Sequence, residues 1–337
     1  VEAAASTGGQ IMPPIMGAAA FLMAEYMNIP YAKVAVKAIL PAVLYFTGIF
    51  IAVHLEAKKL GLKGMPKSEM VSWGELAKRA YLIIPLALLI FLVSSGSRTM
   101  QFSAAVSILA AIVVGFLNKD ERLTFGKIVE ALEAGAKGAI TVAVACAMAG
   151  MIAGCITVTG LASILINAIV QMAGDATMIG LLLTMICCII LGMGVPGVAA
   201  YVIVYVVAVP VLRGVGATEM AANMFCLIYA CLSNITPPVA MSSYVAAGIA
   251  DSNMTKTSLI AMKLGIAGFI LPFFFLNNPV LLYGSTEGVA LSETIRAFVT
   301  ATLGVLAIAE GLSGLPMQKY NVSATALRLV TRAMLVA

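Results

Sequence analysis

SNITPP, residues Ser233–Pro238, interrupts a chain that is otherwise mostly apolar, and apolar runs flank it on both sides. A proline inside a helix removes a backbone donor and clashes with the preceding turn. It also pushes the residue before it out of the helical region. Two in succession end a helix, or open one as its first turn. The flanking runs, Glu219–Leu232 and Val239–Ala250, are each too short to cross a bilayer, whose core of about 30 Å takes about 20 helical residues. The expected structure is a re-entrant hairpin over about 219–250: a half-helix in, a non-helical tip, a half-helix out. STGGQIMPP, Ser6–Pro14, repeats the pattern near the start of the chain, with a half-span Ile15–Ala24 after it. It predicts a first hairpin within 1–27, its upstream half lying before Val1. Small residues follow both proline pairs (Gly17–Ala20; Ser242-Ser243), and an acid closes each stretch (Glu25; Asp251).

Composition supports a membrane setting. The 337 residues are 62% hydrophobic and 10% charged, with a mean hydropathy of +1.06, against roughly half apolar and a quarter charged in soluble domains. From Gly138 to Leu212 there is no Lys or Arg, and the only acid is Asp175. From Gly214 to Thr255 the charges are Glu219 and Asp251. The net charge of +5 comes from Lys and Arg at segment ends and offers no basic face for nucleic acid. The six cysteines lie in apolar runs without a CxxC pair, and His54 has no Cys or His near it in sequence. They read as small buried hydrophobes, not metal ligands.

Long apolar runs in lipid mean helices. The expected order begins with a span at Ala32–Leu55 and a polar connector Glu56–Arg79, cytoplasmic by its Lys and Arg content. Tyr81–Ser95 and Phe102–Leu117 follow, paired through a short turn at Gly96–Arg98 and returning to a charged stretch after Leu117. Phe125–Lys137 is amphipathic, with Phe125, Ile128, Val129 and Leu132 opposite Lys127, Glu130 and Glu133. It reads either as a helix lying in the interface or as a helix end reaching into water. Spans follow at Ala139–Val158, Leu161–Ala173 and Met178–Leu191. GMGVPG, Gly192–Gly197, then breaks a run that resumes at Val198–Leu212. Leu259–Leu276 and Arg296–Ala309 are the last spans. The fold class is an all-α polytopic membrane protein with inverted repeats, re-entrant hairpins and broken helices. It forms one domain over 1–310, and residues 311–337 read as a truncated C-terminal segment of a longer chain.

Backbone that leaves its helix at membrane depth is tolerated only where it is buried or lines a wet cavity. Bare carbonyls with neutral hydroxyl and amide oxygens suit a small hard cation such as Na⁺. A helix starting at Pro13 or Pro237 would point its positive end at an anion. Discontinuous helices at corresponding places in two halves are the sequence mark of a secondary transporter's site. The candidate cation ligands are Ser6, Thr7, Gly8, Gly9, Gly192, Gly194, Pro196, Ser233, Asn234 and Thr236. The candidate solute-binding residues are Gln10, Pro13, Pro14, Pro237, Pro238 and Asn223. Asn223 and Tyr229 read equally as hydrogen-bonding ties between helices. No cofactor is expected beyond Na⁺ as coupling ion.

VEAAASTGGQIMPPIMGAAAFLMAE, from Val1, resembles the first hairpin of the large membrane subunit of TRAP (tripartite ATP-independent periplasmic) transporters, closest to permeases in which small and large subunits are fused. ALEAGAKGAITVAVACAMAGMIAG, LTMICCIILGMG, SNITPPVAMSSYVAAGIADSN and AGFILPFFFLNNPVLL continue the likeness in order through Leu282. The resemblance implies an elevator-type, Na⁺-coupled importer of organic anions, typically carboxylates, in the bacterial inner membrane. It implies a periplasmic substrate-binding protein, of TAXI type for fused permeases, and a small membrane subunit fused upstream or downstream. Phe125–Lys137 would be an arm joining the moving domain to its scaffold. Where relatives carry Leu-Pro-Thr-Thr after the Gly-x-Gly, this chain has Val195, Pro196, Gly197 and Val198, so two hydroxyls are missing.

Two other readings are weaker. A proton-driven transporter or a channel would call on Asp175, Glu219 or Asp251, all near segment ends. An intramembrane enzyme needs paired acids or a Ser-His pair at depth, and His54 sits at a span edge beside Glu56.

Overall fold

The computed structural model describes residues 1–62, 73–95, 99–118, 123–173, 177–282 and 290–313. Residues 63–72 of the polar connector, the turn at Gly96–Arg98, Asp175 and the C-terminal segment beyond Ser313 lie outside the described residues. Within them the fold is all-α, with no strand. The chain opens with α1 (Glu2–Gly9), α2 (Ala18–Tyr26) and α3 (Tyr31–Lys59). Then come α4 (Trp73–Lys78), α5 (Ile84–Ser95), α6 (Met100–Leu117), α7 (Phe125–Val158) and α8 (Leu161–Ala173). The second half contains α9 (Thr177–Gly192), α10 (Gly197–Gly214), α11 (Glu219–Leu232) and α12 (Met241–Ile249). It closes with α13 (Met254–Leu264), α14 (Ile266–Asn277) and α15 (Leu291–Ser313).

Tyr31–Lys59, Gly197–Gly214, Met254–Asn277 and Leu291–Ala309 are each long and apolar enough to cross a membrane. Large apolar side chains stay exposed on the outer helices, Phe50 on α3 and Phe91 on α5 among them. In water such a surface would aggregate; against acyl chains it is solvated. An open apolar groove lined by Val1, Phe46, Thr47, Ile49, Phe50 and Val53 belongs to this outer face.

The core is built around α11. Every residue from Met220 to Leu232 is buried, because α9, α10 and α14 all pack on this one helix. Close approach elsewhere depends on small residues, as in other membrane bundles. Gly48 of α3 is the clearest case: a methyl there would come within 2.5 Å of the Ala267 side chain on α14 and 2.9 Å of Val305 on α15. Side-chain caps open α6, α11 and α13. The Asn253 side chain accepts the Lys256 N–H at 2.9 Å to start α13.

Three expectations change. First, of the two readings of Phe125–Lys137, a separate interfacial helix gives way to the helix end. It is the first part of α7, a continuous helix of 34 residues, about 50 Å long at about 1.5 Å per residue. Nothing in its sequence breaks it, since glycine only weakens a helix interior. Second, the span expected at Leu259–Leu276 begins earlier, at Met254, and is divided at Gly265. Third, the hairpin and the broken helix exchange places. α9 and α10 lie against each other along their length, so the chain doubles back at Gly192–Gly197. α12 does not fold back along α11 but packs on α13 and α1. SNITPP is therefore the break and GMGVPG the hairpin tip. Likewise α2 does not fold back along α1 and packs on α3 and α10.

Candidate functional site

The two proline motifs build the same loop. After α11, a single 3-10 turn over Ser233–Ile235 leads to Thr236 in extended conformation, as a residue before proline requires. Pro237-Pro238 and Pro13-Pro14 are both cis. Two residues beyond each pair the backbone takes a positive φ, 51° at Met16 and 25° at Ala240. The Met16 N–H donates to Met12 O at 3.2 Å, and the Ala240 N–H to Thr236 O at 3.1 Å. A tyrosine hydroxyl holds each loop. Tyr31 donates to the carbonyls of Pro14 (2.9 Å) and Ile15 (2.7 Å), and Tyr244 donates to Pro238 O. Aligned on the prolines, Gln10 matches Asn234 and Gly9 matches Ser233.

The halves interlock. α1, before the first break, packs on α12, after the second; α2, after the first, packs on α11, before the second. Each half-helix thus finds its partner in the other motif, the arrangement a two-fold relation between inverted halves produces. The α9–α10 tip sits against both breaks. The Ser233 hydroxyl donates to Gly192 O at 3.0 Å and to Ala230 O at 2.8 Å. A methyl on Gly197 would come within 2.6 Å of the Gln10 side-chain oxygen, and one on Gly194 within 3.2 Å of Val239. All three irregular stretches meet in one place.

The expected ligands are not equally placed within it. Ser233 and Asn234 are buried, at 0% and 5% exposure. No side-chain hydrogen bond holds the Asn234 carboxamide among the described residues. Thr236 is part-buried and donates to Leu232 O at 2.8 Å, which leaves its oxygen lone pairs free to accept. Gly192 is buried, Pro196, Gln10, Pro13 and Pro237 are half-buried, and Gly194, Pro14 and Pro238 are exposed. Buried neutral oxygens from a hydroxyl, an amide and turn carbonyls form a donor set suited to a hard monovalent cation. Among the described residues no group of His, Cys, Asp or Glu could hold a metal ion.

Four residues depart from expectation. Ser6, Thr7, Gly8 and Gly9 belong to α1, not to an open tip. Ser6 donates to Glu2 on an exposed face at 2.9 Å, and Thr7 donates to Ala3 O at 2.8 Å. Gly8 lies against the rings of Tyr45 and Phe46, and the Tyr45 hydroxyl donates to Ala4 O at 2.8 Å. Nor do the following helices begin at the prolines. They begin at Ala18 and Met241, because the positive φ at Met16 and Ala240 cannot be part of a right-handed helix.

Asn223 is not brought to the site. It lies ten residues before Ser233 on α11, about 15 Å along the axis. Its Oδ1 accepts the Tyr201 hydroxyl at 2.8 Å, and its Nδ2 donates to Glu219 O at 2.8 Å. Tyr229 is likewise a tie, donating to Phe269 O at 2.6 Å. Sequence reasoning missed Tyr31 and Tyr244, whose partners come from the loop fold. It treated Ser243 only as a small residue, although a hydroxyl in the first turn of a helix is a signal in itself.

Interlocked discontinuous helices closing on a hairpin tip define a membrane transporter of the inverted-repeat kind. The family model described as Tripartite ATP-independent periplasmic transporter, DctM component, matches residues 1–286, and the chain belongs to this family. No curated protein matches it. It is thus a large membrane component of a TRAP transporter, a transport family and not an enzyme family.

Proposed function

We propose that the protein imports an organic anion of the carboxylate class across the bacterial inner membrane by Na⁺ symport, with an elevator movement of the interlocked breaks. A periplasmic binding protein, of TAXI type, delivers the solute, and a small membrane subunit, fused in the natural polypeptide, completes the permease. The observation that carries this reading is the meeting of both breaks and the α9–α10 tip around Ser233 and Asn234. The buried oxygens there suit Na⁺, and the half-helix N-termini nearby suit an anion. The missing Thr-Thr after Pro196 has a counterpart in this geometry. Gly192 O, the tip atom in contact with the second break, is a backbone carbonyl and needs no hydroxyl at Gly197 or Val198.

Uptake into proteoliposomes with the binding protein, with and without an inward Na⁺ gradient, tests the proposal. Uptake should require the gradient. Ser233→Ala, Asn234→Ala and Thr236→Ala should each raise the Na⁺ concentration for half-maximal uptake, by about tenfold for loss of one charge-bound oxygen. Unchanged Na⁺ dependence in all three would remove the cation from this site. Uptake driven equally well by a proton gradient without Na⁺ would replace the coupling ion.

A further inference from the structure

The two breaks share one fold but not one chemistry. In the register set by the proline pairs, the first turn of α2 carries Ala18 and Ala19 where the first turn of α12 carries Ser242 and Ser243. Ala19 is a buried methyl. Ser243 is a buried hydroxyl, 0% exposed, and its oxygen has no hydrogen-bond partner among the described residues. Other buried hydroxyls among the described residues find partners: those of Thr7 and Thr184 donate to the carbonyl four residues back. For Ser243 that carbonyl belongs to Val239, outside the helix, so the break itself takes the partner away.

The backbone around Ser243 is short of partners in the same way. The first-turn N–H groups of a helix have no intrahelical acceptor, and α12, nine residues long, has no side-chain cap. The Ala240 N–H goes to Thr236 O and the Tyr244 N–H to Ala240 O. Those of Met241, Ser242 and Ser243 lie between them, at the positive end of the helix. At α2 the corresponding end is partly closed, since the Gly17 N–H, the counterpart of that of Met241, donates to Gln10 O at 2.7 Å. Helical side chains tilt toward the N-terminus, so the Ser243 hydroxyl leans over this first turn. The turn contains no acid. The Tyr244 hydroxyl is already engaged with Pro238 O.

We propose that the carboxylate of the transported anion docks at the N-terminus of α12, with the Ser243 hydroxyl and the first-turn N–H groups as its donors, and that the matching end of α2 does not bind it. This rests on the carboxylate reading above and goes beyond it by choosing one of two equivalent helix ends and naming the side chain. It places the anion beyond the Pro237-Pro238 turn, eight to ten residues along the chain from Ser233, so that coupling ion and solute sit at the two ends of one break.

The test is binding to the purified protein in detergent with Na⁺ present, read as ligand-dependent thermal unfolding. The probes are acetate, pyruvate, succinate and 2-oxoglutarate, with acetamide and succinamide as neutral controls. Without ligand, Ser243→Ala should be as stable as the parent protein or more so, because it removes an unpaired buried hydroxyl. It should bind the preferred carboxylate about tenfold or more weakly while keeping its response to Na⁺. Ser243→Thr, which retains a hydroxyl, should recover part of the affinity, and Ala19→Ser should gain none. Carboxylate affinity unchanged in Ser243→Ala would overturn the proposal and leave the transport reading standing. So would marked instability of that variant without ligand, which would mean the hydroxyl serves the fold. If none of the four carboxylates stabilises the parent protein, the carboxylate reading fails and this site fails with it.

Discussion

Single side chains decide how closely these helices approach. Gly48 lies where α3 meets α14 and α15, and a methyl there has no room beside Ala267 and Val305. Gly48→Ala should destabilise the protein by about 1–3 kcal/mol, the usual range for overpacking. Gly138 on α7 meets nothing within 4 Å, so Gly138→Ala should stabilise by about 0.5–1 kcal/mol through helix propensity alone. Thermal unfolding in detergent distinguishes the two, and a shift of the same sign in both would contradict the packing described. Little at this scale was visible beforehand. The apolar character of both surroundings is plain in the sequence, but which glycine faces a neighbour depends on helix rotation and on chain hundreds of residues away. Ser6 and Thr7 teach the same lesson for polar groups. Their hydroxyls look like ligands, yet α1 satisfies them locally through Glu2 and the Ala3 carbonyl.

At the level of elements, much of the helix order follows from run length and proline placement. α11 spans Glu219–Leu232 as expected, because Thr218 caps its start and the SNITPP break ends it. What run length does not reveal is whether a break turns the chain back or lets it run on. Pro-Pro reads as a hairpin tip, but the positive φ that follows it redirects the chain away from its own preceding helix. The tie between α10 and α11 bears on Asn223. In Tyr201→Phe, Asn223 Oδ1 loses its donor in a fully buried position. Denaturation should show a loss of about 1–3 kcal/mol. The Na⁺ concentration for half-maximal uptake should not move; if it does, Asn223 is part of the ion site and not a helix tie.

For the molecule as a whole, the tip of the α9–α10 hairpin is set against both proline breaks. At the second break a methyl on Gly194 would lie 3.2 Å from Val239, and both residues are exposed to an oxidant. In a background without native cysteines, Gly194→Cys with Val239→Cys should therefore cross-link under copper phenanthroline and lower uptake, and reduction should restore it. Efficient cross-linking with undiminished uptake would mean that tip and break travel as one body throughout the cycle. Absence of cross-linking in a folded variant would contradict their contact. The ion pair between Lys263 and Glu56, at 3.3 Å, joins α13 to the end of α3 across the same assembly. Both side chains are about one-third exposed, so this pair contributes at most about 1 kcal/mol, and apolar packing carries the assembly.

The sequence alone determined that the protein lives in lipid, that it is helical, and that its helices fail at the two Pro-Pro motifs and at GMGVPG. Hydrocarbon excludes unpaired backbone, and a Pro-Pro pair or a cluster of Gly and Pro ends a helix through local backbone sterics, so these properties can be read locally. Only the tertiary structure decided that α1 pairs with α12 and α2 with α11, that GMGVPG is the turn-back point, and that Ser243 is left without a partner. Those outcomes depend on which distant surfaces meet, and a run of equally apolar residues offers no local signal for its partner.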